Sequence, residues 1–307
     1  MLTGSYSAPN SIAIGSVGHK GFLTIVTMQQ PIMSKQQLHE TLAAMGGKVK
    51  SVGLVPTMGA LHAGHVSLVR RAAAENDVVV VSDFVNPTQF NDPSDYKTYP
   101  RTLEADAGKL SSFHNVLLFA PSAEEMYPKG EKEQHFDVFP LDTVMEGARR
   151  PGHFAGVMQI VSRLFSLVRP NRAYFGEKDY QQLLIVRRMA EQQGLGIEVV
   201  GCPIVREADG LAMSSRNTLL TPEGRAAAPI IHHFLEASRE FIKTHDVTST
   251  VQWVTEQINA VQGLQVEYFA ITDAQTLQAV EHYTMGSTMG FIAVRVGAVR
   301  LIDNVKY

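Results

Sequence analysis

Two histidines three residues apart mark the first segment of this sequence that could carry chemistry. His62 and His65 end the run P-T-M-G-A-L-H-A-G-H, which follows a predicted strand and precedes a predicted helix. Unpaired N–H groups and a positive dipole at the start of a helix suit an anion, so the pattern predicts a phosphate-binding turn. Gly59 and Gly64 have P-loop spacing, but His65 and Val66 replace its Lys and Ser/Thr, which disfavours a P-loop NTPase. A glycine-rich surface turn and, less favoured, a zinc site are the alternatives.

Neutral amide side chains follow a second predicted strand. Asn86 and Gln89 stand in the run F-V-N-P-T-Q-F, shortly after four consecutive valines at 78–81. Amides donate and accept hydrogen bonds without charge, which suits a hydroxy acid or an amine that must be oriented. The segment therefore predicts part of a substrate pocket, with a simple Asn-Pro turn as the alternative.

Two later segments carry cations and hydroxyl groups. In F-G-E-K-D-Y-Q-Q, Lys178 is a mobile cation that could follow charge on a phosphate, and Asp179 could cap a helix or bind a ribose hydroxyl. Ser214, Ser215 and Arg216 could make charge-assisted hydrogen bonds to a polyphosphate, on a segment able to close over a site and exclude water. A solvated charged turn and a polar loop are the respective alternatives.

Alternating helix and strand patterns must position these four segments. Short apolar runs predict strands, most clearly where β-branched residues run unbroken, and apolar residues at helical spacing predict helices between them. The strands are predicted at 52–55, 78–81, 116–119, 173–175 and 197–200, and the helices at 34–45, 66–75, 102–113, 157–168 and 180–193. This alternation predicts an α/β fold with a doubly wound, Rossmann-like parallel sheet, whose ligands bind beyond the carboxyl ends of the strands.

The pattern changes after Pro203, which divides the chain into domains. Helices predicted at 222–244 and 249–261, with strands at 265–271, 290–296 and 298–302, indicate a smaller C-terminal α+β lid domain with an antiparallel sheet. The predicted domains are therefore 28–204 and 205–307. Residues 1–27 are interpreted as a poorly ordered N-terminal extension that lacks the charge pattern of a signal peptide.

Composition disfavours several classes of protein. The 307 residues are 45% hydrophobic and carry a net charge of −3, which is typical of a globular protein and argues against one that coats nucleic acid or anionic lipid. Cys202 is the only cysteine, so no intrachain disulfide can form, and no apolar run approaches the roughly 20 residues of a membrane helix. These features predict a cytoplasmic protein that binds no nucleic acid and no membrane.

Six short strings, taken together, resemble one family. They are P-T-M-G at 56–59, F-V-N-P at 84–87, Y-P-R-T at 99–102, R-P-G-H-F at 150–154, F-G-E-K-D at 175–179 and S-S-R-N at 214–217. H-x-G-H with a later Ser-Ser-Arg is similar to the HIGH-type nucleotidyltransferase superfamily, which includes class I aminoacyl-tRNA synthetases. The full set, in this order and over about 28–304, resembles the pantoate–β-alanine ligase family.

The resemblance implies a two-step reaction that makes a coenzyme A precursor. ATP and pantoate would give pantoyl adenylate and pyrophosphate with Mg²⁺, and β-alanine would then attack the acyl carbon to give pantothenate and AMP. A homodimer formed through the first domain is also implied. The alternatives are a nucleotidyltransferase that adenylylates a small phosphorylated substrate and a module that binds ATP without turnover. A tRNA-charging enzyme is disfavoured by the near-neutral charge.

The resemblance also implies roles for residues of this sequence. A catalytic set would stabilise charge at the α-phosphorus and clamp the phosphates: His65, His62, Lys178, Ser214, Ser215 and Arg216. ATP would bind Met58, Gly59, Ala60, Leu61, His62, Ala63, Gly64, His65, Gly176, Glu177, Lys178, Asp179, Val205, Met213, Ser214, Ser215 and Arg216. Pantoate and β-alanine would bind Gln89, Gln182, Asn86 and Met58.

Asp83 departs from the family pattern, which usually has an apolar residue at this place. A carboxylate that points into a core is costly, so the side chain is expected to face a polar neighbour or a dimer interface. The sequence identifies no metal ligands. Asp106 or Glu104 could approach Mg²⁺, but Mg²⁺ often rests mainly on phosphates and water.

Overall fold

The structure is a computed structural model that describes residues 30–130 and 134–307. The predicted N-terminal extension, 1–27, lies outside the described residues. The strands are β1 (Val52–Thr57), β2 (Val78–Asp83), β3 (Val116–Phe119), β4 (Arg172–Gly176), β5 (Glu198–Cys202), β6 (Leu264–Asp273), β7 (Thr288–Val296) and β8 (Val299–Lys306). The helices are α1 (Lys35–Met45), α2 (Ala63–Glu75), α3 (Pro93–Thr98), α4 (Leu103–Leu110), α5 (Ala123–Met126), α6 (Met145–Arg149), α7 (His153–Val168), α8 (Tyr180–Gln193), α9 (Pro222–Ala227), α10 (Ile230–Phe241) and α11 (Val247–Asn259).

Five parallel strands form the larger sheet, in the order β3-β2-β1-β4-β5. The order reverses at β1, because the chain builds outward through β2 and β3 and then continues on the other side of β1. The loops that follow strands beside such a reversal leave a crevice between them. β1 ends at Thr57 and β4 ends at Gly176, so the H-x-G-H turn and the turn that carries Lys178 both border this crevice.

Helices cover both faces of the larger sheet. Val78 and Val80 of β2 belong to a core that includes residues of α7 and α8, whereas Val79 and Val81 belong to a second core that includes residues of α2. Alternate side chains of a strand point to opposite faces, so each of these four valines is buried. The predicted α/β fold with a doubly wound parallel sheet is confirmed.

The second sheet is antiparallel, in the order β6-β7-β8, and shares a core with α10 and α11. This confirms the small C-terminal α+β unit. The prediction of a single helix at 222–244 was wrong, because the chain forms two helices, α9 and α10, on either side of Pro229. Proline lacks an N–H and clashes with the preceding turn inside a helix, so the helix is interrupted there. The domain boundary near residue 204 stays a prediction. Among the described residues, no helix is long and apolar enough to cross a bilayer.

Candidate active site

A cavity, named the central cavity, lies where the larger sheet reverses its strand order. The loops after β1, β2 and β4 line it, together with the segment that follows β5. Most predicted site residues line it: Met58, His62, Gly64, His65, Asn86, Gln89, Gly176, Lys178, Asp179, Gln182, Val205, Met213, Ser214, Ser215 and Arg216. The four segments selected from the sequence therefore meet in one place, although they are far apart in the chain.

Some of the residues predicted to bind ATP do not line the central cavity: Gly59, Ala60, Leu61, Ala63 and Glu177. Two of them act through the backbone. The carbonyl of Ala60 accepts a hydrogen bond from Ser215 Oγ at 3.0 Å, and the N–H of Leu61 donates to Asp106 Oδ1 at 2.8 Å. The Leu61 side chain is buried in the core beneath the turn, so it supports the site from behind.

The two histidines form the N-terminal cap of α2. His62 is the N-cap residue, and its Nδ1 accepts a hydrogen bond from the N–H of Gly64 at 3.1 Å. His65 Nδ1 accepts from the N–H of His62 at 3.3 Å, which completes a capping box built from two imidazoles. A Cβ at position 64 would lie 2.8 Å from His62 Cε1, so glycine leaves the room that the His62 ring needs. The H-x-G-H spacing is thus set by the cap.

The cap also fixes the protonation of both rings. Burial and then the charge of Lys178 lower the pKa of His62 to about 4. Burial and then the charge of His62 lower the pKa of His65 to about 3. Both imidazoles are therefore neutral at pH 7, and since each Nδ1 accepts a backbone N–H, each proton lies on Nε2. The cavity wall thus carries two neighbouring N–H donors, with ring centroids 4.0 Å apart.

Asp106 lies behind the histidine turn and is fully buried. Its Oδ1 accepts the N–H of Leu61 and also pairs with Lys109 Nζ at 3.0 Å, while Oδ2 accepts from Thr102 Oγ1 at 2.9 Å. Asp106 does not line the central cavity, and both of its carboxylate oxygens have partners inside the protein, so its approach to Mg²⁺ stays a prediction that these contacts disfavour. Glu104 is exposed on α4 and does not line the central cavity.

Asp83 lies beneath the same turn, against Gly59. Gly59 has a φ of +75°, and a Cβ there would lie 2.2 Å from Asp83 Oδ1. The other oxygen, Oδ2, is buried and has no hydrogen-bond partner among the described residues. Burial, and then the nearby carboxylate of Asp106, raise the pKa of Asp83 to about 6 against the opposing charge of Lys109. The expected polar partner is therefore missing for this oxygen, and ionised Asp83 destabilises the folded state.

Asp83→Asn is expected to raise the free energy of unfolding at pH 8 by about 1 kcal/mol. A shift from 3.8 to about 6 sets the penalty for ionisation at no more than about 3 kcal/mol, and partial exposure to solvent reduces it. Because the folded pKa is raised, the penalty is complete above pH 6 and vanishes below pH 3.8, so the gain should fade with acidification. Urea unfolding at pH 8 and pH 4 measures this.

Asp77→Asn is the matched control for that prediction. Backbone N–H groups of Lys50 and Ser51 lower the pKa of the exposed Asp77 carboxylate, so its removal should destabilise the protein at pH 8. An Asp83→Asn variant less stable than the parent at pH 8 would contradict the assignment of Asp83.

Gln89 is held in the central cavity by neighbouring polar groups. Its Nε2 donates to Met58 Sδ at 2.8 Å, and its Oε1 accepts from Asn86 Nδ2 at 3.0 Å. Asn86 is only 1% exposed, and it also donates to the Gly156 carbonyl and accepts from the Tyr127 hydroxyl. Asn86 therefore orients Gln89, whereas Gln89 and Met58 are placed to meet a ligand.

His153 and Arg150 hold the main chain of Gln89, and neither was predicted from the sequence to act at the site. His153 Nδ1 donates to the Gln89 carbonyl at 2.8 Å, and Arg150 approaches the same oxygen at 3.4 Å. Burial and then the charge of Arg150 lower the pKa of His153 to about 4, so the ring is neutral at pH 7. The sequence signal that could have indicated these two residues is the R-P-G-H-F string, in which charged and polar residues directly precede an apolar helix.

Apolar side chains also line the central cavity, and none of them was predicted from the sequence to be a site residue. They come from the ends of strands, from α2 and α7, from the end of α3 and from the segment after β5: Leu68, Phe84, Tyr99, Val157, Ile160, Val161, Leu164, Phe175, Pro203 and Ile204. Apolar residues of α7 predicted only a buried helix, because periodicity does not distinguish a core face from a ligand-facing one.

Cations and hydroxyl groups also line the cavity. Lys178 Nζ is 3.3 Å from the Asp179 carboxylate, so the lysine has only a surface-type ion pair to exchange for a ligand. Arg216 pairs with Asp95 at 2.8 Å and stacks over the Tyr99 ring. The Ser215 hydroxyl bonds the Ala60 carbonyl and so docks the Ser-Ser-Arg segment on the histidine turn, whereas Arg216 attaches the segment to α3 and to the Tyr99 that follows it.

The arrangement separates two kinds of recognition. N–H donors and cations suit a polyphosphate, while neutral amides and apolar side chains suit a small organic acid with hydroxyl groups. The described residues contain no group of three His, Cys, Asp or Glu side chains that could hold a metal ion. The geometry therefore fits a nucleotide and a small acid bound side by side.

Comparisons with known proteins agree over most of the chain. A family model described as pantoate-beta-alanine ligase matches residues 30–306. A pantothenate synthetase of Bacteroides fragilis (strain YCH46) is 56% identical over 273 residues, which cover 89% of this chain and 96% of that protein. A pantothenate synthetase of Flavobacterium psychrophilum is 45% identical over 259 residues, which cover 84% of this chain and 92% of that protein.

Solved structures share both sheets with this chain. A pantothenate synthetase from Thermus thermophilus superposes with a TM-score of 0.84 at 46% identity, over 91% of this chain and 99% of that one. A pantoate-beta-alanine ligase from Francisella tularensis, complexed with beta-gamma ATP and beta-alanine, superposes with a TM-score of 0.77 at 36% identity, over 91% of this chain and 97% of that one.

Proposed function

This chain belongs to the pantoate–β-alanine ligase family, and we propose how its residues carry out the reaction. The enzyme joins pantoate to β-alanine to form pantothenate, with ATP as a further substrate. We propose that it does so in two steps. A pantoate carboxylate oxygen attacks the α-phosphorus of ATP and pyrophosphate leaves. The β-alanine amine then attacks the acyl carbon of pantoyl adenylate, and AMP leaves as the amide forms.

The histidine side of the central cavity is proposed to bind the ATP phosphates. Neutral His62 and His65 would each donate Nε2–H to phosphate oxygens, and these donors would stabilise the charge that develops as pyrophosphate departs. Lys178 and Arg216 would exchange their partners Asp179 and Asp95 for phosphate oxygens. Each of those ion pairs is partly exposed, so their loss costs little.

The amide side is proposed to hold pantoate and then β-alanine. Gln89 and Gln182 would bind the pantoate hydroxyls and carboxylate, with Met58 against the carbon chain. Asn86 and His153 keep Gln89 in place from behind. Catalysis would come from alignment of the nucleophile beside fixed positive charge and N–H donors, with no covalent bond to the protein.

One observation carries this proposal: the histidine cap and the Gln89 amide line a single cavity at the strand reversal. The test is to incubate the protein with ATP, Mg²⁺ and pantoate, with and without β-alanine, and to follow AMP. AMP release that requires both pantoate and β-alanine is the expected result. AMP release in the absence of pantoate or in the absence of β-alanine would refute the two-step scheme.

Gln89→Ala is expected to raise KM for pantoate by at least about 10-fold, because a buried polar group that binds a hydroxyl discriminates strongly. KM for ATP should change by less than about two-fold, since Gln89 lies on the amide side. Steady-state kinetics with each substrate varied in turn measure this. Gln36→Ala, which changes an exposed amide on α1, is the control. Unchanged pantoate kinetics in the Gln89 variant would remove that residue from the pocket.

Three further features are proposed, the Mg²⁺ and the homodimer from the family resemblance and the location from the single cysteine. Mg²⁺ would enter with ATP and rest on phosphate oxygens and water, which agrees with the lack of a three-residue metal cluster among the described residues. The protein would be a homodimer through its first part and would act in the cytoplasm. Light scattering of the purified protein tests the proposed homodimer.

A further inference from the structure

The last strand of the chain contacts the turn that carries Lys178. We propose that Asn304 of β8 is a positioning residue for Lys178, and through Lys178 for the ATP phosphates; this rests on the role proposed above for Lys178. The Nδ2 group of Asn304 donates to the carbonyl of Glu177 at 2.8 Å and to the carbonyl of Lys178 at 3.0 Å. One amide therefore holds two consecutive carbonyls of the turn.

The turn itself has little internal support. Glu177–Asp179 is a single 3₁₀ turn between β4 and α8, and such short turns make few hydrogen bonds of their own. Asn304 is only 6% exposed, so its two hydrogen bonds are shielded from competing water. The direction in which the Lys178 side chain leaves the turn thus depends on a residue 126 positions further along the chain.

Asn304 is in turn fixed by its neighbours. Its backbone N–H donates to Asp303 Oδ1 at 2.8 Å, and the Asp303 carboxylate accepts hydrogen bonds from both terminal guanidinium nitrogens of Arg206, at 2.7 and 3.0 Å. Arg206 also donates to the carbonyl of Gly210, at the start of the segment that leads to Ser214. Strand β8 therefore contacts the turn that carries Lys178 and, through Arg206, the segment that leads to Ser214.

A second contact docks the C-terminal sheet on the larger domain without Asn304. Arg300 of β8 makes two hydrogen bonds to Glu146 of α6, at 2.7 and 2.8 Å, and Tyr268 of β6 donates to the same carboxylate. Loss of the Asn304 side chain should therefore leave the sheet in its place. A positioning role and a purely structural role then predict different kinetics.

Asn304→Ala is expected to lower kcat/KM for ATP by about 10-fold or more, because a displacement of about 1 Å of a catalytic group can cost 10²-fold. KM for β-alanine should stay within about two-fold, since Asn304 contacts neither Gln89 nor its supports. Asn304→Asp keeps the size of the side chain and at pH 8 loses the donor, so it should show the same pattern and serves if the alanine variant does not fold. Asn259→Ala removes an amide that bonds the Val266 N–H within the C-terminal part, and it should leave kinetics unchanged.

A double-mutant cycle with Lys178→Ala separates the possible outcomes. If Asn304 acts through Lys178, Asn304→Ala should add little, less than about two-fold, in the Lys178→Ala background. The inference is overturned if both Asn304 variants keep kcat/KM for ATP, if Asn259→Ala loses as much, or if the two losses simply multiply. A Lys178→Ala enzyme with full activity would instead overturn the proposed role of Lys178, and the role of Asn304 with it.

Discussion

His65→Ala is expected to lower the rate of adenylate formation by about 10²- to 10³-fold, the range for removal of one preorganised donor at a developing charge. His65 caps α2 through Nδ1 and presents Nε2–H at the cavity wall, so alanine removes a donor whose direction is already fixed. A single-turnover measurement of pyrophosphate release with ATP and pantoate isolates this step. Wild-type rates in the variant would exclude His65 from the mechanism.

Two comparisons sharpen that result. His65→Gln places an amide N–H near the position of Nε2 and should recover about 5-fold of the loss, since one neutral hydrogen bond is worth about 1 kcal/mol. His39→Ala, which alters an exposed histidine on α1, should have no effect. Because burial and then His62 lower the pKa of His65 to about 3, the wild-type rate should show no inflection from this residue between pH 6 and 9.

Arg300→Ala is expected to lower the free energy of unfolding at pH 7.5 by about 3 kcal/mol, the lower end of the range for breaking a buried ion pair. The Glu146 side chain is 9% exposed and would keep only the Tyr268 hydroxyl and the more distant Arg150. An unpaired carboxylate in such a place retains its desolvation cost. Urea unfolding compared with the parent protein measures the difference.

The pH dependence distinguishes this ion pair from general loss of packing. Burial acts to raise the pKa of Glu146, but hydrogen bonds and charge from Arg300 outweigh it, so the pKa lies below its ordinary value. A lowered folded pKa contributes stability above the unfolded pKa near 4.5, and that contribution is lost as pH falls through the folded pKa. The loss in free energy of unfolding caused by Arg300→Ala should therefore be smaller at acidic pH.

Arg295→Ala is the matched control, because Arg295 pairs with Glu267 from a side chain that is 51% exposed. Its removal should cost less than about 1 kcal/mol. Glu146→Gln in the Arg300→Ala background should restore part of the stability, since it removes the uncompensated charge. If the free energy of unfolding lost in Arg300→Ala does not depend on pH, or if Arg295→Ala loses as much, the Arg300–Glu146 ion pair is not the cause of the loss.

Local patterns were sufficient for the elements around the site. The run of valines in β2 indicated a strand buried on both faces, and the end of that strand placed Asn86 and Gln89 beside the crevice. His62 and His65 were selected because a helix was predicted to follow them, and the same residues cap that helix. Prediction failed for the helix at 222–244, where periodicity continued through Pro229 but the backbone could not.

The α/β architecture and the four polar segments could be predicted from the chain's residues, because strand ends and helix starts depend on residues only a few positions apart. The groups that support those segments could not. Three such contacts join residues that are far apart in the chain: Asp106 with Leu61 across 45 positions, His153 with Gln89 across 64, and Asn304 with Lys178 across 126. Side-chain contacts at such separations are set by how sheets and helices pack, and no short-range period in the sequence encodes them.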